Sequence, residues 1–367
     1  MKKKNEKPIN NNEELIMAIE ALSREKQISR DYLIESLEVA LVSAYKRNFA
    51  SAQNVAVNIN SDTGEIKVYA QKEVVEEVED SQLQISLEDA REQYGSYEPG
   101  DIVNIEVTPG NFGRIAAQTA KQVVMQRIRE AERGKILSEY ADKENDIVTG
   151  VIQRIDKGKI YLEIGNTEAL LNQTEQVPGE VYHFHDRLKG YVLKVESGAR
   201  GVQILVSRSQ PGLVRRLFET EVPEIVQGIV EIKGISREPG SRTKIAVYSN
   251  DENVDAQGAC IGAQGRRVQL ISDEIGGEKI DIVKWSSDPA VYIAASLSPS
   301  DVVSVTLDEP AKMAKVIVPD SQLSLAIGKS GQNARLAARL TGWKIDIKSE
   351  SAAAGEADGE ASEETLK

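Results

Sequence analysis

IGAQGRRVQLISDEIGGEKIDIVKWS (residues 261–286) and IGKSGQNARLAARLTGWKIDIKSE (residues 327–350) are two copies of one unit. Their glycines are offset by 66 residues and their shared KIDI strings by 65, so the spacing survives almost without insertion. Self-similarity at a fixed period marks a repeated structural unit. Each copy is preceded by two runs rich in β-formers, GIVEIKGI with TKIAVYS in the first and VVSVTL with AKVIV in the second. Each then reads as a short helix, a Gly-x-x-Gly turn, a second helix and a final strand. The order in both is helix, strand, strand, helix, helix, strand. Two glycines at this spacing between helices let the backbone approach a ligand closely, and the N–H groups opening the second helix form an anion site.

That element order around a GxxG loop is the pattern of the KH domain, which clamps about four nucleotides of a single strand. The first loop is Gly262-Ala263-Gln264-Gly265 and the second is Gly328-Lys329-Ser330-Gly331. Basic residues accompany both: Arg266 and Arg267 in the first, Lys329, Arg335 and Arg339 in the second. Gln332 and Asn333 complete the expected RNA-facing set. Gly328-Lys329-Ser330 also resembles the end of a nucleotide-binding P-loop, but that motif needs a glycine five positions earlier and position 323 is Leu323.

Upstream, residues 147–208 contain IVTGVIQRI, KIYLEIG, EALLN, RLKGYVLKV and VQILVSRS. Five short strands in about 60 residues suit a small closed barrel of the OB type. Such barrels stack bases on strand aromatics within a basic groove. The candidates are Tyr161, Tyr182, Phe184 and Tyr191, with Arg154, Lys159, Lys189, Arg200 and Arg208. His183 and His185, the only histidines, alternate as if on one strand face, but no further ligand accompanies them and no metal is expected. Cys260 reads as a buried apolar thiol. With no Asp/Glu–His–Cys constellation, the sequence predicts no enzyme and no cofactor.

Further upstream, Leu15, Ile16, Ile19 and Leu22 share one helical face, and a second helix spans about Arg30–Asn48 with Leu33, Leu37, Leu41 and Tyr45 on its stripe. The strands AVNIN and EIKVYA are joined by Ser61-Asp62-Thr63-Gly64, a hairpin signal. From about Ile115 to Tyr140 the chain predicts one long helix, weakened at Gly134. Arg114 and Lys121, seven apart, fall on one of its faces. The net charge is −13 over 367 residues, yet residues 147–349 are neutral and the excess acid lies in residues 1–146 and 350–367. A neutral region can still bind RNA if its basic groups cluster. The start lacks a secretory pattern, no apolar run reaches membrane-spanning length, and one cysteine permits no internal disulfide, so a reducing cytoplasmic setting is expected.

Specific strings then sharpen the reading: FGRIAAQTAKQ, REAERGKI, VTGVIQ, FETEVPEI, VEIKGISREPGSRTKIAVYSND, GACIG, KIDIVKW and AIGKSGQNARLAARLTGWKI. Over residues 11–349 the chain closely resembles the NusA family of bacterial transcription elongation, termination and antitermination factors. The resemblance implies a multi-domain α+β fold. An N-terminal α/β head that binds RNA polymerase, with a long linker helix, takes residues 1–145. A five-stranded OB-type barrel of the ribosomal S-one kind takes 146–209, and two tandem prokaryotic-type KH domains take 210–287 and 288–349. An acidic tail, 350–367, is expected to be disordered. The implied partners are core RNA polymerase at the flap region of its β subunit, nascent single-stranded RNA, RNA hairpins and other Nus factors. The chain is expected to act as a monomer. Arg114 and Lys121 match family positions near the exiting hairpin, and Arg200 matches the barrel arginine. Many relatives carry a basic residue within the first GxxG, where this chain has Ala263-Gln264. Some carry C-terminal acidic repeats that restrain RNA binding, which the 18-residue tail does not provide, so unrestrained binding is expected. The alternative is an RNA-binding module of mRNA or ribosome metabolism. Polynucleotide phosphorylase also joins KH and S-one-type domains, but in the reverse order and after catalytic domains.

Overall fold

A computed structural model describes residues 16–17, 19–21, 23–24, 28–49, 54–110, 112–198 and 201–355. The chain forms two compact units, Met1–Ile136 and Leu137–Lys367.

In the first unit, helix α1 (Arg30–Phe49) repeats Leu33, Leu37, Leu41 and Tyr45 at one-turn spacing, and all four are buried. They pack on β1 (Val55–Ile59) and the lower half of β2 (Ile66–Val75), through Val55, Val57, Ile59 and Val68. The β1–β2 hairpin closes as the sequence predicts. The Asn60 side chain accepts from the N–H groups of Asp62 and Thr63, both at 2.9 Å. Strand β2 is the spine of the sheet: it pairs antiparallel with β1 and with β4 (Ile102–Glu106), and parallel with β3 (Gln84–Ser86). Its upper half and helix α2 (Leu87–Tyr94) enclose a small second core of Val74, Ala90 and Val103. The described residues between 16 and 24 are helical, with Ile16 and Ile19 in the larger core; Leu15 and Leu22 lie outside the described residues. Helix α3 (Phe112–Ala141) enters that core through Phe112, Ala116 and Ala120. Phe112 meets Tyr45 edge-on at 5.6 Å.

In the second unit, β5 (Ile147–Asp156), β6 (Lys159–Ile164), β7 (Thr167–Leu171), β8 (Arg187–Gly198) and β9 (Gly201–Ser207) close into a barrel of order β5-β6-β7-β9-β8. Alternate residues point inward: Ile160, Leu162 and Ile164 on β6, with Ile152, Val192, Ile204 and Val206 opposite. Helices α4 (Pro211–Glu221) and α5 (Pro223–Val226) lead into the first KH unit. It continues through β10 (Val230–Glu238), β11 (Arg242–Ser249), α6 (Ala256–Ile261), α7 (Arg266–Glu274) and β12 (Lys279–Lys284). The second repeats it as α8 (Pro289–Ser296), β13 (Ser304–Asp308), β14 (Met313–Val318), α9 (Leu323–Ile327), α10 (Gln332–Thr341) and β15 (Lys344–Ser349). In both, the first two strands are antiparallel and the KIDI strand pairs parallel with the second.

The tight turn between β10 and β11 joins all three domains of this unit. A Cβ on Gly240 would lie 2.6 Å from the Pro178 carbonyl of the barrel, so only glycine fits. Buried Arg237 pairs with buried Glu278 at 2.9 Å and donates to the Gln210 carbonyl, also at 2.9 Å. Lys244, fully buried, reaches Asp281 at 3.1 Å and the Ser298 carbonyl of the second KH unit at 2.7 Å.

One expectation needs correcting. Residues 350–355 are helical rather than disordered: Ser351 Oγ donates to Asp320 at 2.5 Å and anchors an alanine-rich turn. The rest of the acidic tail, 356–367, lies outside the described residues.

Candidate nucleic-acid interface

The two GxxG loops share one backbone shape. Gly262 and Gly328 have φ/ψ of 73/175° and 75/172°. Gln264 and Ser330 follow at 53/28° and 52/29°. Gly265 and Gly331 close the loops at 74/14° and 75/16°. The first glycine lies in a region open essentially to glycine alone. It is also crowded: a Cβ on Gly328 would stand 2.8 Å from the Asn333 N atom and Cβ, and one on Gly262 would stand 2.7 Å from Arg267 Cγ. Each loop feeds directly into α7 or α10 and so faces the positive end of a helix dipole. Within the turns the N–H groups of Gly265 and Arg266 donate to the Gly262 and Ala263 carbonyls, and those of Gly331 and Gln332 to the Gly328 and Lys329 carbonyls. Ala263, Gln264, Lys329 and Ser330 are at the loop tips and are exposed there. The geometry is a pair of backbone anion cradles.

The cations beside these cradles are of two kinds. The side chains of Arg266 and Lys329 make no hydrogen bond or ion pair among the described residues. Arg267 is committed elsewhere: its guanidinium pairs with Glu224 at 3.0 Å and donates to the Ala259 carbonyl at 2.7 Å. Arg335 and Arg339 lean on Glu238 at 3.1 and 3.8 Å, and Gln332 donates to Glu238 at 2.8 Å and to Ser241 at 2.7 Å. Asn333 does not face RNA. It is buried beneath the loop and donates to the carbonyls of Leu297 at 2.9 Å and Ala326 at 3.0 Å, a core role.

On the barrel, the Arg154 guanidinium lies over the Tyr161 ring at 3.8 Å, on the paired faces of β5 and β6. Phe184 is 57% exposed and lies 3.9 Å from the His185 ring. The two histidines do not share a strand: residues 181–186 form a loop, and His185 is left-handed at φ 71°. Four of the barrel candidates are structural. Arg208 is 1% exposed and bonds Glu180, the Lys189 carbonyl and the Glu274 carbonyl. Lys189 pairs with Glu274 at 3.6 Å. Tyr182 donates to Glu180 at 2.7 Å, and burial raises its phenol pKa. Tyr191 packs against Gly212 and donates to Asn145 at 3.0 Å. Arg208, Lys189 and Tyr191 bolt the barrel to the first KH unit, and Tyr182 braces the Glu180 carboxylate that Arg208 grips. Arg200 lies outside the described residues. Burial pushes the Cys260 thiol up to about 12, which leaves it un-ionised.

In the first unit, Arg114 and Lys121 project from the exposed face of α3, opposite Phe112, Ala116 and Ala120. Arg129 extends the same face. Two turns of helix separate Arg114 from Lys121, about 10 Å of axial rise. No group of three or more metal-ligating side chains, and no helix long and apolar enough to cross a membrane, occurs among the described residues.

Four family models match the chain in succession: the NusA N-terminal domain over residues 14–134, the S1 RNA binding domain over 141–207, the NusA-like first KH domain over 208–285 and the NusA-like second KH domain over 289–355. The transcription termination/antitermination protein NusA of Bacillus subtilis (strain 168) is 59% identical over 337 residues, 92% of this chain and 91% of the relative. The chain belongs to the NusA family. Its namesake from Halalkalibacterium halodurans is 58% identical over 342 residues, 93% of this chain and 90% of the relative. A solution structure of the N-terminal domain of NusA from B. subtilis is 58% identical, with a TM-score of 0.31, and spans 33% of this chain and 98% of that one. The NusA framework accounts for the element order. The residues that sequence reasoning missed are its joints: Glu180, Arg237, Glu238 and Glu278. The available signal for Arg237 and Glu238 was SREPGSRTK, a charge-dense turn set between two runs of strand formers.

Proposed function

We propose that this chain is a transcription termination/antitermination factor that binds single-stranded nascent RNA while attached to RNA polymerase. The observation that carries the reading is the pair of GxxG cradles of one backbone shape, each with a solvent-facing tip and one unpaired cation. Close backbone approach at the glycines and the positive end of a helix dipole favour a phosphate whatever base follows, so the cradles suit a strand of varied sequence emerging from an enzyme. Arg154 with Tyr161, and exposed Phe184, offer stacking surfaces for the same strand. The head, residues 1–145, would anchor to polymerase at the flap of its β subunit. It needs no basic face for this, since its partner is protein. Arg114 and Lys121 would meet the stem of an exiting hairpin. Anchoring raises the local concentration of RNA at the barrel and KH domains (146–209, 210–287 and 288–349), so modest intrinsic affinity suffices. Stabilising the hairpin-bearing arrangement over the elongating one lengthens the pause. Other Nus factors would join in antitermination, and the protein would act without cofactor or catalysis.

The test uses the full chain and a variant carrying Gly262→Asp and Gly328→Asp. Both should be retained by core RNA polymerase, and only the unaltered chain should bind oligoribonucleotide and prolong a hairpin pause. Equal RNA binding by the two proteins would remove the cradles from the interface. No retention by polymerase would remove the anchor.

A further inference from the structure

The second cradle is bordered by a carboxylate that belongs to the first KH domain. Glu238, the last residue of β10, accepts from Arg335 Nε at 3.1 Å and Nη2 at 3.3 Å. It also accepts from Gln332 at 2.8 Å and faces the Arg339 guanidinium at 3.8 Å. The third nitrogen of Arg335, Nη1, donates to the Ser330 carbonyl at 2.5 Å, so the same arginine grips the loop itself. The side chain of Glu238 is 22% exposed, against 47% for Arg335 and 60% for Arg339. Both arginines therefore present solvent-facing donors while their inner side rests on the acid. A carboxylate offers a guanidinium fork the same two-oxygen geometry as a phosphate diester.

We propose that Glu238 stands in for an RNA phosphate, occupying Arg335 and Arg339 until a phosphate of single-stranded RNA at Gly328–Gly331 takes them over. A residue of the first KH domain thus sets the RNA affinity of the second. The proposal rests on the RNA-binding reading above. The exchange breaks no covalent bond: Arg335 trades one anion for another, and Glu238 is released to water. Gln332, whose amide also reaches Ser241 at 2.7 Å, keeps the joint closed as this happens.

The test compares full-length wild type, Glu238→Gln, Arg335→Gln and the double variant in binding a labelled oligoribonucleotide long enough for both cradles, from about 50 to 200 mM salt. Glutamine keeps the shape and the hydrogen bond to Gln332, and thermal unfolding checks that each variant folds. Glu238→Gln should bind about three- to tenfold tighter at the low-salt end, since it frees a charge-assisted pair. Its salt slope should steepen by about 0.7 for each further phosphate of the single strand that it neutralises. Arg335→Gln should abolish the tighter binding in the double variant and cost wild type less than it costs Glu238→Gln. Unchanged or weaker binding by a folded Glu238→Gln, or tighter binding that survives in the double variant, would overturn the proposal. Absence of RNA binding by wild type would instead overturn the reading beneath it.

Discussion

Alanine at Gly328 is expected to damage the second cradle more than alanine at any other of its loop positions. Two costs add there. The backbone at 75/172° lies in glycine's own region, worth about 1–3 kcal/mol to any other residue. The new Cβ would also stand 2.8 Å from the Asn333 N atom and Cβ, which helix α10 and two hydrogen bonds hold in place. Overpacking of that sort adds about 1–3 kcal/mol. At Gly331 only a left-handed backbone is required, costing about 1–2 kcal/mol, and the nearest atom is Arg335 Nη1 at 3.6 Å, an ordinary contact. Gly262→Ala should fall between the two, because its obstacle is the flexible stem of Arg267. Native-state hydrogen exchange reads these as local opening energies, with each 1.4 kcal/mol worth about tenfold in rate. Amides of residues 323–341 should exchange about 30-fold faster or more in Gly328→Ala, and about tenfold faster in Gly331→Ala. Equal acceleration by the two substitutions would refute the steric part of this reasoning. No acceleration by Gly328→Ala would refute all of it.

Lys329→Ala and Arg266→Ala should each lower the salt slope of RNA binding by about 0.7, measured by anisotropy across a salt series, whereas Arg267→Ala should leave the slope unchanged because its charge already answers Glu224. Arg208→Met strands the Glu180 carboxylate at the joint between barrel and first KH domain and should cost about 3–5 kcal/mol, seen as faster exchange in residues 201–210. The Glu238 carboxyl is held below its ordinary 4.5 by hydrogen bonds, first from Arg335 and then from Gln332. Because its pKa is lower folded than unfolded, its stabilisation is complete above about 4.5 and fades as pH falls through the lowered value. Acid unfolding of Glu238→Gln should lack that component. Arg114→Gln with Lys121→Gln should shorten hairpin-dependent pauses while binding of unstructured RNA, measured by anisotropy, stays as in the unaltered chain.

Glycine spacing made the cradles legible, since only a few backbone shapes allow GxxG between helices and a duplicated motif restricts them further. The strands of both KH units, the barrel, the hairpin at Asn60–Gly64 and the long helix through Gly134 follow from periodicity and turn chemistry in the same way. Side-chain allegiance was less legible. Arg266 and Arg267 are adjacent and chemically identical in sequence, yet one is free and the other is tied to Glu224 on a helix 43 residues earlier. Asn333 looks like a polar helix-start residue and is in fact a core hydrogen-bond donor, because the carbonyls of Leu297 at the end of α8 and Ala326 in α9 meet it there. Arg208 and Lys189 read as part of a basic groove, but they are neutralised by Glu180 and Glu274, and the Glu274 contacts come from another domain. Alternation at His183 and His185 suggested a strand that the left-handed His185 interrupts. Composition fixes which charges exist, and long-range packing decides which of them remain to be used.

The turn at Glu238–Arg242 carries a consequence for how a strand is caught. Its glycine seats the barrel, its flanking arginine holds the first KH core through Glu278, and its glutamate meets the second cradle. The ordering entropy of aligning three binding surfaces is therefore spent once, when the chain folds, and not at each encounter with RNA. A strand held at one cradle meets the next at a fixed effective concentration, so many weak contacts add as avidity. Lengthening this one turn by a residue would leave every cradle intact and still cost the cooperation between them.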